Sequence, residues 1–214
     1  MKVTYRELET GEFRAAIREL VGVYAAAMNP PDRTLAGREA IMERHAAGPR
    51  FRGLTAFVDG QLAAFTYGFH GENGQWWHDM VAAALATRSR APGWAPGGVP
   101  GGAPGGAPGG GTPQDWLDDS LEVAELHVRP ECQGHGIGRS LLLWLTSGRP
   151  ERTALLSTSD APTRARRLYR GVGFTDLLTD FRFSGSEPPY AVMGATLPLA
   201  ADAPLRRPAK PSSW

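Results

Sequence analysis

The sequence predicts an α/β domain, a central β-sheet flanked by helices, and three observations carry that expectation. The stretch Glu131–Ser140, "ECQGHGIGRS", places glycines at 134, 136 and 138 between a strand-like run, "LEVAELHV" (121–128), and a helix-like run, "SLLLWLTS" (140–147). Two further strand-like runs, "LTAFV" and "LAAFTYGF", flank Asp59-Gly60, a pair that tolerates the positive φ of a tight hairpin turn. Phe13, Ala16, Ile17, Leu20, Val21, Tyr24 and Met28 form one stripe at helical spacing.

The elements follow in order. Residues 3–8 form a short first strand, and the apolar stripe makes the first helix. Pro30-Pro31 ends it, because proline has no N–H to donate and its ring clashes with the preceding turn. A second, weaker helix covers Leu35 to His45, the hairpin follows, and "QWWHDMVAAALA" reads as a helix from Gln75 to Ala86. Residues 91–113 are almost entirely Gly, Pro and Ala, too poor in apolar surface to repay the cost of ordering them. They are expected to be a disordered Gly/Pro-rich insertion. After the strand–turn–helix, "TALLST" (153–158) reads as a buried strand. A helix runs from Pro162 to Arg170, with Pro early in its first turn and Gly171 beyond its end. Phe174–Phe183 and Tyr190–Leu197 are closing strands. The domain therefore spans 1–197, and 198–214 is a flexible tail.

Charge and composition exclude several function classes. The 214 residues carry a formal charge of +1, without the basic stripe that nucleic-acid binding requires; "RARRLYR" (164–170) is short. The single cysteine, Cys132, permits no intrachain disulfide, which suits a reducing compartment. The N-terminus is charged, and no apolar run is long enough to cross a bilayer. A cytoplasmic protein with neither nucleic-acid nor membrane partner is expected. The oligomeric state stays open, a homodimer being one option.

A helix that starts directly after a strand aims unpaired N–H groups and a partial positive charge at whatever lies before it. Glycines in the turn remove side-chain obstruction, so the combination suits phosphate. The dinucleotide fingerprint G-x-G-x-x-G fails here, because its third glycine would fall on Arg139. The P-loop fails as well, since no Gly-Lys-Ser/Thr is present. What fits is Gln-x-x-Gly-x-Gly, from Gln133 through Gly136 to Gly138. This stretch resembles the pyrophosphate-binding motif of the GNAT superfamily of acyl-coenzyme A-dependent N-acyltransferases. The preceding "ELHVRPE", the following "GRSLLLWL" and the later "RLYRGVGF" (167–174) are similar to the strand, helix and second motif of that family.

The resemblance implies the GNAT fold, a central mixed twisted sheet flanked by helices. It implies acetyl-CoA as co-substrate and no metal. The co-substrate would lie along Leu126, His127 and Val128 and in the turn formed by Gln133, Gly134, His135, Gly136, Ile137, Gly138, Arg139 and Ser140. The sequence departs from the family in one contact. Where the second motif often has Asn, this chain has Pro162, so the contact to the pantetheine arm is either absent here or supplied by a neighbour such as Ser159 or Thr163. The 75–86 helix and the insertion are also additions.

The implied reaction is attack of an amine of a small molecule or peptide on the thioester carbonyl. An alkyl amine, with a pKa of about 10.4, arrives protonated, so a base must take its proton. Glu122 and Glu125 lie on opposite faces of their strand and cannot share one role. Glu122 aligns with the base of the histone-acetylating branch, and Glu125 with an acidic position of small-molecule branches. Glu125 is preferred, with His127 on its face as partner or relay. Tyr169 aligns with the acid that protonates the leaving thiolate. That transfer is uphill by roughly 1 to 2 units, so the acid assists without being indispensable. One of the adjacent Trp76 and Trp77 packs in the core and the other lines the acceptor pocket, Trp77 being the candidate. The alternatives are a non-catalytic acyl-CoA sensor of the same fold and a ligand-free structural domain, the latter leaving the open glycine turn unexplained.

Overall fold

In a computed structural model, which describes residues 1–31, 35, 37–89, 113–183 and 188–199, seven strands form one mixed sheet in the order β1-β2-β3-β4-β5-β7-β6. The strands are β1 (Val3–Leu8), β2 (Arg52–Val58), β3 (Gln61–Gly71), β4 (Ser120–Val128), β5 (Thr153–Ser159), β6 (Thr175–Phe181) and β7 (Tyr190–Thr196). The helices are α1 (Thr10–Met28), α2 (Arg38–His45), α3 (Trp76–Ser89), α4 (Ile137–Thr146) and α5 (Arg164–Arg170). The insertion expected at 91–113 lies outside the described residues but for Pro113, and the tail expected at 198–214 lies outside them but for Pro198 and Leu199. No helix of the described residues is long and apolar enough to cross a membrane.

The chain divides into two compact units. The first joins residues 1–69 to 123–147. Its strands β1, β2 and β3 are antiparallel, and the β2–β3 hairpin turns through Asp59 (φ 49°) and Gly60 (φ 86°), two positive φ values that match the twist of paired strands. Helix α1 starts with a capping box in which Glu12 accepts from the Glu9 N–H at 3.0 Å. It ends at Asn29, whose left-handed backbone lets its N–H bond the Ala25 carbonyl, and Pro30 follows. The stripe delivers Phe13, Ile17, Leu20 and Tyr24 to a core shared with Met42, Phe65, Tyr67 and Phe69. Val23 joins them, whereas Met28, at the last turn, is 56% exposed because the helix there has outrun the core. Gly53 on β2 is required by this packing: a Cβ there would stand 2.7 Å from the Phe13 ring.

The second unit comprises residues 70–122 and 148–200. Antiparallel β5, β7 and β6 form its sheet, and β4 joins β5 in parallel through Ser120, Leu121 and Glu122. Val81 and Leu85 of α3 pack with Trp116, Leu117, Leu155, Leu178, Phe183 and Val192. The added helix is therefore part of this core. Gly194 admits the Trp116 ring, which would lie 2.8 Å from a Cβ there. One local expectation changes. Pro162 lies outside α5, because Thr163 is the N-cap and accepts from the Arg166 N–H at 3.1 Å. Gly171 lies just beyond the end of the helix as its C-cap, with a φ of −67°, and Gly173 takes a positive φ of 102°.

Arg52 ties the first unit together. Its Nη1 donates to the carbonyls of Trp144 and Ser147, each at 2.9 Å, at the end of α4, where the Trp144 carbonyl also accepts from the Ser147 N–H at 3.1 Å. Its Nε and Nη2 donate to the two oxygens of Glu7 at 2.8 and 3.0 Å. Arg52→Ala is expected to destabilise the fold by about 2 kcal/mol, because charged hydrogen bonds at a half-buried site are lost. Glu7→Ala, at an exposed partner, should cost under about 1 kcal/mol. Urea denaturation of both variants checks the ranking, and equal losses would contradict it.

Candidate functional site

The glycine turn has the form its sequence requires. After β4 the chain makes one 3-10 turn, Pro130–Cys132, and reaches Gln133, whose side-chain amide donates to the Val128 carbonyl at 3.0 Å and fixes the start of the loop. Gly134 (φ 83°) and Gly136 (φ 78°) both adopt left-handed backbone, which side chains strain to reach. A Cβ on either would meet nothing within 4 Å, so open space lies before the turn. Gly134, His135 and Gly136 are exposed, while Ile137 and Gly138 are buried. Gly136 is the N-cap of α4, and the first helical bond runs from the Ser140 N–H to the Gly136 carbonyl at 2.9 Å. The amides of Ile137, Gly138 and Arg139 consequently have no partner inside the helix and are available to an anion in front of it. These residues fit the diphosphate of a coenzyme A thioester: backbone donors, no acidic residue in the first turn, and room where side chains would otherwise stand.

The strand that feeds this turn carries a buried charge. Glu125 and His127 stand on the same face of β4, with side chains 10% and 11% exposed. Glu125 Oε1 accepts from Arg38 Nη1 at 2.7 Å, and Oε2 is hydrogen-bonded to His127 Nε2. An ionised carboxylate can only accept, so His127 donates from Nε2 and, when neutral, keeps its lone pair on Nδ1. Burial pushes the Glu125 carboxyl up, but the hydrogen bond and charge of His127, with Arg38 and His45, outweigh it and hold the group below the usual carboxylate range.

Aromatic rings enclose the pair. The His127 ring meets Tyr24 edge-on at 5.0 Å and Phe65 at 5.5 Å. Arg38 Nη2 donates to the Tyr24 hydroxyl at 2.7 Å, and its guanidinium lies 4.2 Å from the centre of that ring. Below them His45 Nδ1 and the Tyr67 hydroxyl are 3.1 Å apart. Burial lowers the His45 pKa to about 4, with Arg44 and Arg38 adding to the effect and Glu125 opposing it. Thr66 fixes the strand from the other side, donating to the Glu125 carbonyl at 2.7 Å.

The structure thus brings Glu125 and His127 together as the alternation of β4 requires. Leu126 and Val128 are half-buried on the alternate positions. Glu122 is buried within the stretch of β4 that pairs with β5. Tyr169 is 7% exposed and packs its ring against Phe174 at 5.9 Å. Trp77 is half-buried and donates from Nε1 to Ser157 Oγ at 3.2 Å, while Trp76 is 61% exposed. Cys132 is a buried free thiol beside the turn. Sequence reasoning did not find Arg38, Tyr24, His45 or Tyr67 as site residues. Arg38 is 87 positions from Glu125, and no local pattern joins them.

The GNAT acetyltransferase domain model matches residues 102–176, which include β4, the turn, α4, β5 and α5. Over that stretch the chain is similar to the GNAT acetyltransferase family. A relative, the GCN5-like protein acetyltransferase Rv2170 of Mycobacterium tuberculosis, is 36% identical over 141 residues. That match takes in 64% of this chain and 60% of the relative's length. Among solved structures, a GNAT-family protein from Desulfovibrio desulfuricans superposes with a TM-score of 0.56 at 14% identity, over 91% of this chain and 99% of that one. The PaiA N-acetyltransferase of Thermoplasma acidophilum, solved in complex with coenzyme A, superposes with a TM-score of 0.53 at 12% identity, over 92% and 99%. At those identities the likeness to the solved structures is one of fold, which is the GNAT fold in this chain.

Two expectations follow from this geometry. Gly136→Asp puts a charged side chain into the space before the turn, so acetyl-CoA affinity should fall by about ten-fold or more while the variant stays folded, as calorimetry would read. Unchanged affinity in a folded variant would remove the turn from the binding site. The second concerns acid. Unfolded His45 takes up a proton near its ordinary value of 6.5, whereas the native ring resists until about 4. Unfolding therefore binds a proton in that window, and stability falls as the pH drops through it. The loss between pH 7 and 4.5 should be about 2 kcal/mol, discounted for partial exposure, and His45→Gln should flatten it. Glu125, held low, contributes only below its ordinary value of 4.5. Denaturant midpoints across pH decide the matter.

Proposed function

We propose that this protein transfers the acetyl group of acetyl-CoA to a primary amine of a small molecule or peptide by direct attack. The observation that carries this reading is the continuity of one strand with one turn. β4 presents a buried carboxylate–imidazole pair, and seven residues separate Glu125 from the Gln133 that opens the anion-binding turn. A cytoplasmic location accords with the single cysteine.

The pairing refines the role of the base. Both oxygens of Glu125 are engaged and its basicity is reduced, so it is poorly suited to take a proton itself. It is well suited to fix the tautomer of His127 and to stabilise that ring once charged. His127 then takes the proton of the attacking amine at Nδ1, directly or through water. Acetyl-CoA supplies the thioester carbon at which the new C–N bond forms as the C–S bond breaks. Tyr169 remains the candidate donor to the departing sulfur, on the strength of its place before Gly171-Val172-Gly173-Phe174. Trp77 is a candidate for the acceptor side of the pocket.

One observation favours a non-catalytic acyl-CoA sensor: Glu125 is already paired on both oxygens in the free protein. Thiol release on a panel of amines and peptides separates the two readings. Under the proposal, His127→Gln and Glu125→Gln should lower kcat by about ten-squared to ten-to-the-fourth while acetyl-CoA affinity holds, and Tyr169→Phe should fall near the lower end. Glu122→Gln should retain most activity. If Glu122→Gln were the crippled variant and the β4 pair dispensable, the base would have to be reassigned.

A further inference from the structure

Arg38 is an anomaly for the fold and a constraint on the site. It is the first residue of α2, where the helix terminus carries partial positive charge and disfavours a cation. Local helix stability therefore does not account for its placement. Its partners lie elsewhere: Glu125 at 2.7 Å, the Tyr24 hydroxyl at 2.7 Å, and the face of the Tyr24 ring. Its side chain is 19% exposed beside a carboxylate that is 10% exposed. A guanidinium on a buried carboxylate, flanked by an aromatic face, makes the contacts that any organic cation would make at such a spot.

We infer that Arg38 determines acceptor specificity: it occupies on Glu125 the place an acceptor ammonium would take, so the site selects acceptors with one amine and no second cation close to it. This rests on the acetyl-transfer reading. Arg38 and Glu125 cancel in charge, and the other oxygen of Glu125 holds His127. A second positive charge on the acceptor gains no free carboxylate here and meets a fixed guanidinium. Removing that guanidinium uncovers an anion already shaped for a cation. Selectivity thus comes from a repulsive element as well as from attraction.

The test compares 1-aminopentane with 1,5-diaminopentane, which share an alkyl chain and differ by one ammonium. Wild type should favour the monoamine in kcat/KM. Arg38→Met should shift the ratio toward the diamine by about ten-fold or more, chiefly through KM, and Arg38→Lys, which keeps the charge, should restore the wild-type order. Normal acetyl-CoA affinity in each variant establishes that it is folded. An unchanged ratio in folded Arg38→Met overturns the inference and leaves acetyl transfer standing. If neither amine is acetylated by any form, calorimetry of 1,5-diaminopentane with the coenzyme A-saturated proteins replaces turnover. Binding by Arg38→Met and not by wild type or Arg38→Lys supports the assignment, and equal behaviour of all three overturns it.

Discussion

A carboxylate buried among aromatic rings cannot persist without partners, because removing an ion from water costs several kcal/mol even after relaxation. Glu125 imposes that condition on the first unit. Its two oxygens must be met, and they are met from different parts of the chain: Arg38 at the start of α2 and His127 on β4 itself. Each partner is then held in turn. Tyr24 of α1 accepts from Arg38, and Thr66 of β3 bonds the Glu125 carbonyl. The result is a network crossing four elements whose geometry is fixed by the need to keep one charge satisfied.

The same environment separates two histidines that sequence does not distinguish by function. His45 is kept neutral by burial, and its ring serves as a packing and hydrogen-bonding group against Tyr67 and Phe69. His127 is locked through Nε2 to a carboxylate. Position relative to Glu125 makes one structural and the other a candidate for chemistry.

The glycine turn works by the opposite principle. It is a place where groups are left unsatisfied and side chains are absent, at the exposed start of a helix whose body is buried through Leu141, Leu142 and Leu145. Arg52 anchors the far end of that helix by its terminal carbonyls. The turn can therefore keep open donors without the helix needing them for its own stability.

The sequence by itself determined the order and kind of the elements, because apolar periodicity and turn chemistry are local. The stripe of α1, the Asp59-Gly60 hairpin, the strand–turn–helix at 121–147 and the shared face of Glu125 and His127 all follow from spacing alone. The glycine turn was legible for the same reason: two of its positions take the positive φ that glycine adopts without strain. What only the tertiary structure decided concerns meetings between distant segments. Arg38 and Glu125 face each other because α2 and β4 pack in one unit, and nothing in either segment specifies the other. The reduced basicity of Glu125 depends on His127 and Arg38 meeting it against the effect of burial, and the neutrality of His45 depends on burial itself; both are properties of the assembled core. Met28 lies outside that core despite its place in the stripe, and Trp77 pairs with Ser157 while Trp76 faces solvent, since periodicity names a helix face but not the surface that will cover it.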